Sequence, residues 1–253
     1  MIRLTILLIF LVINGSYARQ IGETEIISEE GIEVFQEQKY YLLKKNVTIT
    51  SDNLILSGDE VKIYFENDLY DIRKIEAFNN VIFESSSYGL NARGEKIFFE
   101  LEEEIIIING TNSILDTKDV IMKSNNEIVV NNVSGKFSLK GSNSSLKTET
   151  IYLKGEKIDG IFDTSTNIKD IIRLNVFDEN ISYLKTNNTE MFANKINYNK
   201  DTSIMELKDN VKISRDGEIV TGDYGTMNTQ TQSYKVKSNN ANKVKVIITN
   251  KNE

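Results

Sequence analysis

"NNVIFESSSYGLNARGEKIFFE", residues 79–100, decides the fold, because the chain writes it more than once. An earlier version, "NVTITSDNLILSGDEVKIYF", covers residues 46–65, and a later one, "NVKISRDGEIVTGDYGTM", covers residues 210–227. Aligned, the copies read Asn-Val-x-Ile/Phe, then a short variable stretch, then a small or apolar pair before Gly-Asp/Glu. In the first two copies a strand ending in Tyr or Phe follows, Ile63-Tyr64 and Ile97-Phe98; the third, Gly222-Asp223-Tyr224, lacks that ending. A weaker copy, "FANKINY", occupies residues 192–198. The distance from Asn46 to Asn80 falls within the periods of stacked repeat architectures. Physically, the unit reads as strand–turn–strand, with the Gly permitting a bulge or a positive φ and the acid capping the turn. One such unit cannot bury its apolar face alone, whereas several stacked units can.

Within and between the copies, apolar residues alternate with period two. Val61, Ile63 and Phe65 share one face, as do Val81 and Phe83, Ile97 and Phe99, Ile151 and Leu153, Ile196 and Tyr198, and Val211 and Ile213. Turn-rich pieces such as "SGD", "ARGE", "KGSNSS" and "RDGE" separate these runs, and no stretch holds a helical period beyond the N-terminal segment. The expectation is an all-β chain of short antiparallel strands. Residues 105–190 keep the strand rhythm while departing from the repeat text, and no linker divides them from the rest.

Composition narrows the function. The chain has 253 residues with no His, Cys, Pro or Trp and a formal net charge of −7. Without His or Cys there is neither a Ser–His–Asp triad nor a cysteine nucleophile, and the usual nitrogen and sulfur ligands of zinc are missing. No acidic loop has calcium-site spacing. We therefore expect no enzyme, no metal site and no cofactor. An acidic chain without a clustered basic face also argues against nucleic acid. The N-terminal stretch "MIRLTILLIFLVINGSYARQ" has Arg3, an apolar run and Ser16-Tyr17-Ala18, the pattern of a secretory signal peptide. The expected organisation is a signal peptide over 1–18, an N-terminal lead-in over 19–45 and a single β-domain over 46–250.

The repeat resembles that of the OstA/LptA family, the periplasmic bridge proteins of lipopolysaccharide transport. The resemblance is carried by Asn46-Val47-x-Ile49, Asn80-Val81-x-Phe83, Asn210-Val211-x-Ile213, the Gly-Asp/Glu turns, and "ANKINYNKDTSIMELKDNVKISRDGEIVTGDYGTMN" over residues 193–228. It covers residues 46–100 and 190–228 well and the intervening part loosely. It implies an elongated open β-jellyroll with an apolar interior that holds lipid A acyl chains. On that basis Val61, Ile63, Phe65, Val81, Phe83, Ile97, Phe99, Ile151, Leu153, Ile196, Val211 and Ile213 are the candidate groove. Their types are Ile, Val, Leu and Phe, suited to a sliding apolar site and equally to a plain core. Val47, Ile49, Val244, Val246 and Ile248 are the candidate edge-strand residues for head-to-tail assembly of like chains. The implied partners are lipopolysaccharide and related jellyrolls at the inner and outer membranes, and the implied location is the periplasm. Two alternatives stay open: a membrane-anchored LptC-like component, and a β-solenoid surface protein with a dry core.

Overall fold

The computed structural model describes residues 21–67, 71–87, 89–165, 170–186, 188–239 and 243–249. The signal-peptide reading falls outside these residues. Among them there is no helix, and 18 strands join in one antiparallel sheet. In chain order they are β1 (Glu25–Ile27), β2 (Ile32–Phe35), β3 (Tyr40–Thr50), β4 (Leu54–Phe65), β5 (Ile72–Ser85), β6 (Leu90–Glu100), β7 (Ile105–Asn109), β8 (Ser113–Thr117) and β9 (Ile121–Ser124). The series continues with β10 (Glu127–Asn131), β11 (Lys136–Lys147), β12 (Tyr152–Phe162), β13 (Ile171–Lys185), β14 (Thr189–Asn199), β15 (Ile204–Arg215), β16 (Glu218–Asn228), β17 (Tyr234–Lys237) and β18 (Lys245–Ile248).

The long strands each change register at mid-length, and that is where the repeat text sits. Between β3 and β4 the pairing runs to Lys44↔Glu60 and resumes at Val47↔Gly58. Two residues on one strand, Lys45 and Asn46, therefore face one on the other, which is a β-bulge. The same step recurs between β5 and β6 at Asn79-Asn80 and between β15 and β16 at Asp209-Asn210. All six of these residues have positive φ, from 49° to 65°. Asn and Asp tolerate this left-handed region better than other side chains, which explains the invariant Asn of the three copies.

The neighbouring Gly does a different job from the one expected. Gly58, Gly94 and Gly222 are absent from the glycines with positive φ. What they supply is room. A Cβ on Gly94 would lie 2.6 Å from Ile108 Cγ2, and one on Gly222 would lie 2.6 Å from Val236 Cγ1. The bulge thus divides its labour: the Asn pair turns the strand, and the Gly opposite lets the adjacent rung approach. Asn side chains tie the corner together. Asn46 Nδ2 donates to Glu29 Oε1 at 2.7 Å, and Asn210 Nδ2 to Asn194 Oδ1 at 2.7 Å. Asn194 Nδ2 in turn reaches the carbonyls of Asp178, Glu179 and Asn180 at 2.8–3.1 Å.

Because every long strand bends at the same place, its two legs lie in two layers. The first layer holds β1, β8, β9, β18 and the legs that pair with them, such as residues 47–50 and 82–85. The second holds β2, β7, β10, β17 and legs such as 40–44 and 96–100. The layers converge along the line of bulges and open on the other side, where the turns lie. One continuous apolar cluster fills the angle between them. Contact across it is direct: the Phe83 ring of the first layer lies 5.7 Å from that of Phe99 in the second.

One boundary differs from the expectation. The jellyroll does not begin at Asn46; residues 25–45 are part of it, since β1 and β2 both pair with β3. The alternation in "EIISEEGIEVF" is short and interrupted by a turn, which hid these half-length strands. Val47 and Ile49 are consequently not edge residues. Strand β3 is paired on both sides, and the two side chains are buried. Residues 105–190 carry the same architecture with another corner chemistry. There the bend falls in the breaks between β7 and β8 and between β9 and β10, and at residues 141–143 of β11.

Candidate functional site

The open side of the angle is the candidate site, a mouth that runs along the stack between the two rows of turns. Its first cavity, about 180 Å³, lies between Phe83, Leu90, Leu115 and Val120 of the first-layer side and Phe99, Ile106, Val130 and Phe162 of the second. The walls are aromatic and aliphatic because inward positions alternate along every leg: Phe99, Ile106 and Val130 stand directly opposite one another on β6, β7 and β10. Phe162 is fixed by stacking on Phe137 at 4.4 Å. The turn on the first-layer side is stapled by Thr117, whose Oγ1 donates to the Val120 carbonyl at 3.0 Å.

A second, wider recess of about 810 Å³ adjoins it and shares Thr117, Lys118, Asp119 and Val120 with it. Its wall is mixed, with Ile121, Ile151, Ile171 and Tyr198 beside Lys147, Glu149, Asp170 and Lys200. A third, about 370 Å³, shares Thr150, Ile151 and Tyr198 with the second and ends on Leu174, Met191, Met205 and Met227. The three therefore form a continuous row along the mouth from β5 to β16. Three methionines at its far end give a wall that adapts its shape, since the unbranched thioether is flexible. Charges are confined to the rim. Lys200 Nζ sits 3.2 Å from Asp170 Oδ2, and that hydrogen bond raises the ammonium pKa. Among the described residues no group of His, Cys, Asp or Glu is arranged to hold a metal ion.

Of the twelve candidate groove residues, Phe83, Phe99 and Ile151 line this row. Phe99 and Ile151 are half-buried, as mouth residues should be. Val61, Ile63, Val81, Ile97, Leu153, Ile196, Val211 and Ile213 are buried at 0–3% exposure and line none of the three cavities. Phe65 borders a separate polar recess with Arg73, Glu100 and Glu102. The sequence reading missed Leu90, Ile106, Leu115, Val120, Val130, Phe162, Met191, Met205 and Met227. Most lie in the region where the repeat text fades. Their signal was the alternation alone, which marks a face as inward without saying how far along the leg the packing stops. At the chain's C-terminal end, Val246 and Ile248 belong to β18 and are 50% and 72% exposed; Val244 precedes the strand and is 43% exposed.

Residues 27–136 match the family described as LptA/(LptD N-terminal domain) LPS transport protein. Among solved structures the chain is similar to LptH of Pseudomonas aeruginosa, described as the LptA homologous periplasmic component of the lipopolysaccharide transport device. The two share 13% identity over 52% of this chain and 95% of that one, with a TM-score of 0.42. No curated protein matches this sequence. Over residues 27–136, then, this all-β chain is similar to the family described as LptA/(LptD N-terminal domain) LPS transport protein.

Proposed function

We propose that the mouth receives the acyl chains of lipopolysaccharide, and that the chain is an exported, periplasmic carrier that hands this lipid from inner-membrane to outer-membrane jellyroll partners. One observation carries the reading: three cavities share lining residues and so make one continuous row along the open side of the stack, mainly apolar in the first and third and mixed in the second. An apolar cavity of about 150 Å³ is known to stay dry and to accept small apolar molecules, so the first cavity suits hydrocarbon better than water. Each buried methylene contributes about 0.8 kcal/mol. A chain laid along the mouth would gain affinity from length and none from a particular polar contact. Sliding between equivalent positions would then be nearly isoenergetic, and direction would come from outside the protein.

The test is retention of lipopolysaccharide by the purified chain, with Ile151→Lys as the blocking variant. Ile151 is half-buried and joins the second and third cavities, so a lysine there interrupts the row while its ammonium reaches solvent. The wild type should retain lipid and the variant should lose most of it with its fold intact. Absence of lipid on the wild type, or undiminished retention by the folded variant, would refute the reading.

A further inference from the structure

The outer face of the first layer changes character along the stack. From β3 to β6 its two outward rows carry one cation, Arg93, and one acid, Glu84, among neutral residues. From β9 to β18 the same rows carry Lys123, Lys147, Lys154, Lys185, Lys212 and Lys245 against a single acid, Glu190. All six lysines are exposed. Alternation sends them outward, since Leu146, Leu153, Leu184, Met191 and Ile213 on the other side of the same strands are buried in the core. Among the described residues only Lys185 of the six has a carboxylate within 4.0 Å, that of Glu190 at 3.1 Å. On the second layer's outer face, by contrast, Lys62, Lys140, Lys157 and Lys208 each sit beside a carboxylate at 2.7–3.7 Å.

Half-buried rings stand among the unmatched lysines. Tyr183 pairs directly with Phe192 on the neighbouring strand, their ring centroids 5.0 Å apart, and Tyr152 follows at 6.1 Å from Tyr183. Lys154 Nζ lies 5.5 Å from the Tyr152 centroid and Lys212 Nζ 5.0 Å from that of Phe192. A ring in that position supports the lysine stem and leaves its charge intact.

We propose that this face docks on an anionic phospholipid bilayer, with the lysines on the lipid phosphates and the rings at headgroup level. Aromatic side chains interleaved with lysine are the combination found where proteins meet the headgroup region, whereas lysine is depleted from the core of protein–protein interfaces. The rows cross eight strands, which at about 4.8 Å per strand gives a contact roughly 34 Å long. The net charge of −7 does not oppose this contact. The screening length is about 8 Å in physiological salt and packed sheets lie about 10 Å apart, so the carboxylates of the second layer are screened from a surface touching the first. A dispersed lipid meets few of these lysines at once, while a bilayer engages them together. The face therefore gathers a surface and leaves single molecules to the mouth. The inference rests on the outer face and does not depend on lipid uptake.

Co-sedimentation of the purified chain with vesicles of equal parts phosphatidylglycerol and phosphatidylcholine tests it. The wild type should bind these vesicles, should not bind vesicles of phosphatidylcholine alone, and should be released by about 1 M salt, where the screening length is about 3 Å. Each lysine at an anionic surface contributes about fivefold to partitioning, so K147Q/K154Q/K212Q should bind about a hundredfold more weakly. The variant K140Q/K157Q/K208Q makes the same change in net charge on the second layer's outer face and should bind as the wild type does. Ile151→Lys, which interrupts the mouth, should also bind, because the docking face is elsewhere. A wild type that ignores anionic vesicles, equal binding to neutral ones, equal losses in the two triple variants, or loss of binding with Ile151→Lys would each overturn the proposal. Vesicle binding without lipopolysaccharide retention leaves this inference standing and removes the transport reading; retention without vesicle binding does the reverse.

Discussion

At the scale of single residues, the corner bulge is where sequence and geometry are most tightly bound. Asn80 sits at φ 53° directly after Asn79 at φ 57°. A β-branched side chain in that region clashes with its own backbone at a cost of roughly 1–2 kcal/mol. Asn80→Val should therefore lower stability by about that amount while Asn80→Gly should be close to neutral, which chemical denaturation can measure. Gly94 should behave in the opposite way for a different reason. Its φ is ordinary, so Gly94→Ala costs nothing in backbone conformation, yet its Cβ would press on Ile108 and the Asn109 carbonyl at 2.6 and 3.0 Å. Overpacking of this kind costs about 1–3 kcal/mol. The tyrosines add a pH signature. Burial, then the hydrogen bond to Glu76, push the Tyr64 hydroxyl up to about 12, and burial with the Glu218 hydrogen bond does the same for Tyr234. Both keep their protons in the folded chain after the unfolded chain has lost them near 10. Their contribution is therefore complete below pH 10 and is lost as pH rises towards 12. Replacing Tyr64 with Phe should flatten that alkaline decline in thermal melts.

At the scale of elements, the rung is the unit, and what was legible about it follows from how its parts are encoded. Alternation of Val61, Ile63 and Phe65, or of Val211 and Ile213, is a direct record of the inward face, so the all-β class and the core side of most legs could be read from the text. The corner was legible only where it is written as Asn-Asn or Asp-Asn opposite Gly. In β7 to β10 the same bend is made by a break in the strand around Gly110, which has φ 135°, and around Asn125. Such a break leaves no repeat to recognise. The terminal rungs were lost because β1 and β2 are only three and four residues long. The site was harder still. Phe83 and Val81 differ by two positions on one face, but only Phe83 lies far enough from the corner to reach a cavity, and distance from the corner is a property of the two layers together. Ile108, fully buried on β7, tests the claim that the broken rungs are as integral as the intact ones. Ile108→Ala should cost about 2–5 kcal/mol in one cooperative transition that also unfolds β14 to β16. An early, separate transition confined to β7–β10 would contradict this.

At the scale of the whole molecule, the fold offers a long mouth, mainly apolar with a mixed middle recess, closed on one side by its corner. The interior towards the corner is packed too tightly to admit a ligand, which separates the residues that hold the stack together from those that face the mouth. That division is the central claim, and site-specific photo-crosslinking tests it most directly. A crosslinking residue would be placed in turn at Phe99, Val120 and Ile151 in the mouth, at Leu139 and Ile158 in the packed interior, and at Lys154 on the outer face, and the folded chain incubated with lipopolysaccharide. Adducts at the three mouth positions, with none at the interior or outer ones, are the predicted result. No adduct at the mouth, or adducts as strong at Lys154 as at Val120, would contradict it.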